Sequence, residues 1–382
     1  MSLAPSSVIE STILVIICTA SILGNITLFF IITRKRSLRT ISNCFLLNLA
    51  FADLLVSLLN MPITVVTIVK QRWVFGNRAC KLLGFTTMLS FVSSVMWLAM
   101  IAINRYYYVV QWKIYPSYFT TKRSVLFAGI VWLISLLLSI PPLLGWAEYR
   151  YIPGKSYCFV SWPSDVYYMY FMLIICFFGP LSIMSLSYYH ILKFTRESKQ
   201  RVDRHRDIGV LQEETKRGNN TDVYEQHRKR LRMTQEEVKI TNTLMIVVAC
   251  FMACWAPFAM TMFFDVYYPR PLPRIVDIST LLLGYANSMC NPVVYGIRTQ
   301  AFRRELVGLY TSCLETDSIN IPNSFHVSSA AVCEGDTLET QETPNVSGVR
   351  CEQSQPIELK SLKRISVDQM KWQSSESLNI NY

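Results

Sequence analysis

Seven long apolar blocks, almost free of charge, constrain this chain more than any other feature. They run Ser11–Thr33, Ile41–Val69, Leu82–Ile103, Ser124–Trp146, Val166–Leu192, Ile240–Phe264 and Ile278–Ile297. A helix needs about 20 mostly apolar residues to cross the hydrocarbon of a bilayer, and each block supplies them. One carboxylate, Asp53, lies deep inside a block. None of the blocks shows the ten-residue alternation of a membrane barrel. With no water in the hydrocarbon, helices are the remaining way to satisfy the backbone. The fold class expected is therefore all-α integral membrane, a seven-transmembrane helix bundle.

The charges fit that reading. Hydrophobic residues make up 51% of the chain and charged residues 16%, which sets aside two or three soluble domains. A net charge of +11 raises nucleic acid as a partner, but a nucleic-acid binder gathers Lys, Arg and stacking aromatics on one soluble surface. Here the basic residues sit between and after the blocks, so no nucleic acid is expected. The first loop, TRKRSLRT, the loop around Thr195–Gln235 and the segment RTQAFRREL are the basic ones. All three fall on one side, which is then cytoplasmic and leaves the N-terminus outside. MSLAPSSVIE has no basic stretch of a signal peptide, so the first block is expected to stay as an anchor.

Six of the eleven cysteines, Cys18, Cys44, Cys176, Cys250, Cys254 and Cys290, lie inside apolar blocks and read as small core residues. The loop 195–235 is charge-rich, with helical extensions expected at each end, and the tail after Thr311 has the composition of a disordered segment. The resulting organisation is an extracellular N-terminus at 1–10, a bundle domain at 11–310 and a cytoplasmic disordered tail at 311–382. Its spans fall at about 11–33, 41–69, 80–107, 124–146, 166–192, 238–264 and 277–297, with a short interfacial eighth helix at 299–309.

Each block also carries a short motif. In order they are Gly24-Asn25; LAFAD ending at Asp53; Cys80 leading to Asn104-Arg105-Tyr106; Trp132 with Pro141-Pro142; Pro180 with Tyr188; FMACWAP, from Phe251 to Pro257; and NPVVY, from Asn291 to Tyr295. One such string occurs by chance, but the ordered set resembles the rhodopsin-like (class A) G-protein-coupled receptor family over about residues 10–310.

That resemblance implies roles for particular residues. Cys80 and Cys158 both face the oxidising side, where a disulfide persists; the alternative is two free thiols. Asp53 is a costly mid-membrane carboxylate. The family position holds a sodium ion with oxygen donors that match Ser94, Asn287 and Asn291 here. The alternative is a protonated Asp53 bonded to Asn25 and Asn291. Arg105 follows Cys80 by 25 residues, about 37 Å of helix, which carries it to the inner interface. In the family this Arg meets the G protein when span six swings out. Glu237 reaches the same face and pairs with Arg105 in a closed state, unless both charges are simply solvated. The family usually has Asp where this chain has Asn104, which implies a looser closed state, or else an Asn104–Arg105 hydrogen bond with little consequence. Trp255 and Phe251 over the Pro257 kink form a lever. Tyr188 and Tyr295 close a link near Arg105 in the open state, and Asn104, Arg105, Tyr106, Pro292 and Asn291 complete the switch. Phe302 and Leu306 form the apolar face of the interfacial helix, with Arg303 and Arg304 on another. Cys313 after it is a palmitoylation candidate. Phosphorylated tail residues would recruit arrestin after a receptor kinase has acted.

The expected ligand pocket comprises Thr87, Met88, Phe171, Ile174, Trp255, Phe258, Tyr285 and Ser288. Amine receptors of the family have Asp at the position of Thr87, and opsins have Lys at that of Tyr285. No cofactor is therefore expected beyond sodium, and no retinal Schiff base forms without the lysine. The stretch GWAEYRYIPGKSYCFVSW is somewhat opsin-like, and melatonin- or amine-type relatives fit as well. The function implied is a receptor for a small, non-aminergic extracellular ligand that activates heterotrimeric G proteins from the plasma membrane, surrounded by lipid. The alternative is an opsin-derived or constitutively active signalling or scaffold protein without a diffusible ligand. A transporter would show charged residues along a path and broken mid-membrane helices. An enzyme would show a catalytic pair within the spans. Neither pattern is present in the sequence.

Overall fold

The computed structural model describes residues 5–213, 221–268, 270–300 and 302–308, with side chains over 201–238 outside the description. Seven long helices follow in order: α1 (Pro5–Arg34), α2 (Ile41–Lys70), α3 (Gly76–Val109), α4 (Thr121–Ser139), α5 (from Val166 to Glu213), α6 (Thr221–Tyr267) and α7 (Arg274–Arg298). Six of them, α1 to α6, are long and apolar enough to cross a membrane. The 25-residue α7 is more polar because Asp277, Thr280, Asn287, Ser288 and Asn291 lie along it. All five are buried, so α7 turns its polar face inward as it packs between α1 and α6.

The bundle is sorted as lipid demands. Leu23, Leu126, Leu133 and Leu186 point outward and are exposed, whereas Ser21, Asn25, Asp53, Ser93 and Asn104 are buried. Helix starts follow local chemistry. The hydroxyls of Thr40 and Thr120 accept from the backbone N–H of Asn43 and Arg123 at the starts of α2 and α4, and the Asp165 carboxylate accepts from Tyr168 N–H at the start of α5. Two helices widen into single π turns, Val56–Asn60 in α2 and Leu173–Phe178 in α5. Each turn lies just before a proline, Pro62 or Pro180. A proline ring has no N–H and collides with the carbonyl four residues back, and the wider turn relieves that conflict.

Helices α1 and α7 approach closely at Gly24, where a Cβ would lie 2.7 Å from Cγ of Pro292. Between α4 and α5 the chain forms a hairpin, β1 (Tyr149–Ile152) with β2 (Tyr157–Val160), antiparallel with Tyr151 opposite Cys158. All four β2 residues are buried, so this strand is covered on both faces. The hairpin packs on α3, where Gly84 leaves room for the Tyr149 ring; a Cβ there would lie 2.7 Å from it. A Cys80–Cys158 disulfide fastens β2 to the outer end of α3.

Residues 302–308 are helical, with Phe302 buried and Arg303 and Arg304 exposed. An ion pair of 3.0 Å between Glu305 and Lys35 ties this segment to the end of α1. Cys313 and the tail expected at 311–382 lie outside the described residues. Parts of the 195–235 loop do as well, although α5 and α6 extend helically into it to Glu213 and from Thr221.

Candidate functional site

The buried side chains form two apolar clusters. The outer one is built around Phe258, Tyr168 and the hairpin, and the inner one around Trp97, Phe251 and Tyr188. Phe91, Met96 and Trp255 pack against both. The Trp255 ring lies 4.6 Å from Phe91, 5.7 Å from Phe258 and 6.4 Å from Phe251, measured between centroids. Pro257 sits inside α6 just beyond it. Trp255 therefore joins the outer and inner clusters through direct ring contacts.

Below that junction lies Asp53, 1% exposed. Ser94 Oγ donates to its Oδ1 at 3.4 Å and Asn291 Nδ2 donates to its Oδ2 at 2.8 Å. Asn287 is buried on the same helix as Asn291. Ser288, expected in the ligand pocket, instead stands beside Asp53. Asn25 Nδ2 donates to the carbonyls of Ser288 and Ser21, so it joins α1 to α7.

At the inner end of α3, Asn104 is fully buried. Ser42 Oγ donates to its Oδ1 at 2.5 Å, and its Nδ2 donates to the Tyr115 hydroxyl at 3.3 Å. The amide thus ties α3 to α2 and to the short helix Tyr115–Tyr118. Sequence reasoning named neither partner, because both come from separate elements. Tyr188 of α5 and Tyr295 of α7 are both buried in the inner cluster, and the Arg105 guanidinium stands 5.7 Å from the centre of the Tyr108 ring. The Tyr106 ring stands edge-on to His190 at 5.9 Å. The Glu237 side chain lies outside the described residues, and with it the expected pair with Arg105.

On the outer side, Met88, Trp255 and Phe258 line a small, partly open apolar cavity. Phe91, Met172, Leu173, Cys176 and Met262 contribute to its walls, and so do Phe159 of β2 and Trp162 just after it. Ile174 does not reach it, being 58% exposed on the outside of the bundle. The π turn adds a residue to this stretch of α5 and rotates the faces assigned from simple helical spacing. Phe171 packs on Trp146, 5.3 Å between centroids. Thr87 and Tyr285 line a second, smaller cavity with Asn60, Thr64 and Tyr157. There Tyr285 hydrogen-bonds Thr64 at 3.1 Å, and Thr87 donates to the Leu83 carbonyl of its own helix at 2.8 Å. Burial pushes the Tyr157 phenol well above its ordinary value, with Tyr285, Asp265 and Asp277 adding to the effect, so it stays neutral.

Residues 24–295 match the 7 transmembrane receptor (rhodopsin family) profile, more than half of the chain. The chain belongs to this family. Among its relatives, 5-hydroxytryptamine receptor 4 of Cavia porcellus is 31% identical over 309 residues, covering 78% of each chain. G-protein coupled receptor 161 of Xenopus tropicalis is 27% identical over 314 residues, 80% of this chain and 61% of that protein. The chain thus spans about three-fifths of that relative's length. In fold, this rhodopsin-family receptor superposes on squid rhodopsin with a TM-score of 0.70 at 22% identity, covering 86% of this chain and 95% of that one. Family membership makes the chain a membrane receptor and not an enzyme.

Proposed function

We propose that this receptor detects a small extracellular ligand in the cavity above Trp255 and activates heterotrimeric G proteins by moving the inner half of α6. The supporting observation is the line of contacts from that cavity through Trp255 and Phe251 to the inner cluster that holds Tyr188 and Tyr295. The apolar, aromatic walls suit the body of a small ligand. The ligand is not held by a carboxylate on α3 at the position of Thr87. The similarity to a 5-hydroxytryptamine receptor therefore does not carry over as the same amine anchor.

The receptor sits in the plasma membrane with its N-terminus outside. A receptor kinase and arrestin act on the tail, and Cys313 carries an acyl chain. Asp53 with Ser94, Asn287 and Asn291 holds a sodium ion, which supplies counter-charge for the buried carboxylate. Oxygen donors around one carboxylate suit a hard monovalent cation. A second reading, signalling without a diffusible ligand, is favoured by the burial of all of β2 in the mouth of the bundle.

The test is basal and extract-stimulated G-protein dissociation in cells, read across a sensor panel for wild type and Arg105→Ala at matched surface levels. A wild-type signal that Arg105→Ala reduces at least tenfold is expected. A signal unchanged by Arg105→Ala would refute the proposed switch.

A further inference from the structure

The hairpin tip carries a lysine where solvent exposure is the norm. Lys155 is 1% exposed, and an ammonium is buried only with partners. Its Nζ donates to Asp265 Oδ2 of α6 at 2.7 Å and lies 3.5 Å from Asp277 Oδ1 of α7. It also stands 5.4 Å from the centre of the Phe258 ring, which lines the apolar cavity. Asp277 is 5% exposed, and its Oδ1 accepts no hydrogen bond among the described residues. A nearly buried carboxylate whose oxygen meets an ammonium at 3.5 Å without a hydrogen bond can take a closer cationic donor.

The tip is placed there from several sides. The Thr67 hydroxyl donates to the Ser156 carbonyl. Arg274 donates to the Pro153 carbonyl at 3.3 Å and to Ser156 Oγ at 2.9 Å, while its other nitrogen pairs with Glu10 at 2.8 Å. A Cβ at Gly154 would collide with Asp277 Oδ2, so a larger residue there would push that carboxylate aside. Arg274 pairs with Glu10, while Lys155 forms ion pairs with both Asp265 and Asp277.

We infer that Asp265 and Asp277 form a recognition site for an organic ammonium group, and that in this state the chain's own Lys155 occupies it as a tethered ligand. An extracellular ligand of this class, with an ammonium head and an apolar body, binds by displacing Lys155, setting its head between the two carboxylates and its body over Phe258. This deepens the receptor reading above and rests on it for its consequence in signalling. Counter-charge missing at Thr87 on α3 is thereby supplied from α6 and α7.

The test uses the purified full-length receptor and its thermal unfolding temperature. Lys155→Ala removes the part of the side chain that n-propylammonium replaces. In that variant, millimolar n-propylammonium is expected to raise the unfolding temperature saturably, by about 2 °C or more. Neutral n-propanol, wild type, and Lys155→Ala combined with Asp265→Asn should show no such rise. An equal response to n-propylammonium in wild type and Lys155→Ala would overturn the assignment. If Lys155→Ala does not purify, the size-matched Lys155→Met and Asp265→Asn form a double-mutant cycle. Losses that are clearly less than additive support the site, and additive losses overturn it. No G protein enters this measurement, so its failure is distinct from failure of the receptor reading.

Discussion

Replacing Asn104 by aspartate sets two electrostatic effects against each other at a fully buried point. The present amide accepts from Ser42 and donates a long bond of 3.3 Å to Tyr115. Two neutral bonds of this kind contribute about 0.5–1.5 kcal/mol each. A carboxylate would accept from both hydroxyls, since the Tyr115 O–H can rotate to donate. Charge-assisted bonds are roughly twice as strong, a gain of about 1–2 kcal/mol. Against this, a buried unpaired charge costs several kcal/mol. The deciding group is Arg105, the next residue, whose guanidinium stands 5.7 Å from the centre of the Tyr108 ring and must turn toward the carboxylate to neutralise it. Asn104→Asp should therefore stabilise an arrangement in which Arg105 faces its neighbour. A shift of about 1–1.4 kcal/mol lowers the active population roughly five- to tenfold. The assay is basal G-protein dissociation at matched surface level, with thermal unfolding of the purified receptor alongside. In an Arg105→Ala background the same carboxylate loses its compensation and should cost about 3–5 kcal/mol, seen as poor surface expression. Basal signalling that is unchanged or raised by Asn104→Asp, or a carboxylate tolerated equally without Arg105, would refute this reasoning.

Gly84→Ala places a methyl 2.7 Å from the Tyr149 ring and should lower stability by about 1–3 kcal/mol, read as a lower unfolding temperature under non-reducing conditions. Asp53→Asn should abolish any dependence of unfolding temperature on sodium concentration at constant ionic strength, with potassium as the control. Equal sodium dependence in the variant would remove Asp53 from the ion site.

Much of the bundle was legible in the sequence because the bilayer imposes a simple rule. A helix that must cross about 30 Å of hydrocarbon leaves a long apolar block in the sequence, and six helices carry that mark plainly. The seventh is less apolar because its polar residues face inward, yet its nearly charge-free run Ile278–Ile297 still marked it as a span. Ser94 and Asn291, which the family resemblance set beside the single carboxylate inside a block, both hydrogen-bond Asp53 in the structure. Where backbone geometry departed from 3.6 residues per turn, the reading failed. A π turn before Pro180 left Ile174 facing outward while Leu173 and Cys176 line the cavity, and nothing in residue spacing announces where a helix will absorb a proline by widening.

The hairpin was illegible for a different reason. Its residues, including Lys155, have the composition of a solvated loop, and a lysine in a loop ordinarily reaches water. What buries it is long-range: the Cys80–Cys158 bond fixes one end of β2, Arg274 and Thr67 hold the tip, and carboxylates from two helices meet the ammonium. None of these partners is near Lys155 in sequence, the separation from Asp265 being 110 residues. Periodicity reports which face of an element is apolar, and it is silent about which charges the fold will bring together. The sequence placed the ligand site among the helices, and Phe159 and Trp162 show that the loop supplies part of its wall. A receptor whose mouth is lined by its own loop couples loop position directly to cavity shape. On the proposed reading, the residues that set the ligand's chemistry lie as much in 149–162 as in the seven blocks that define the fold.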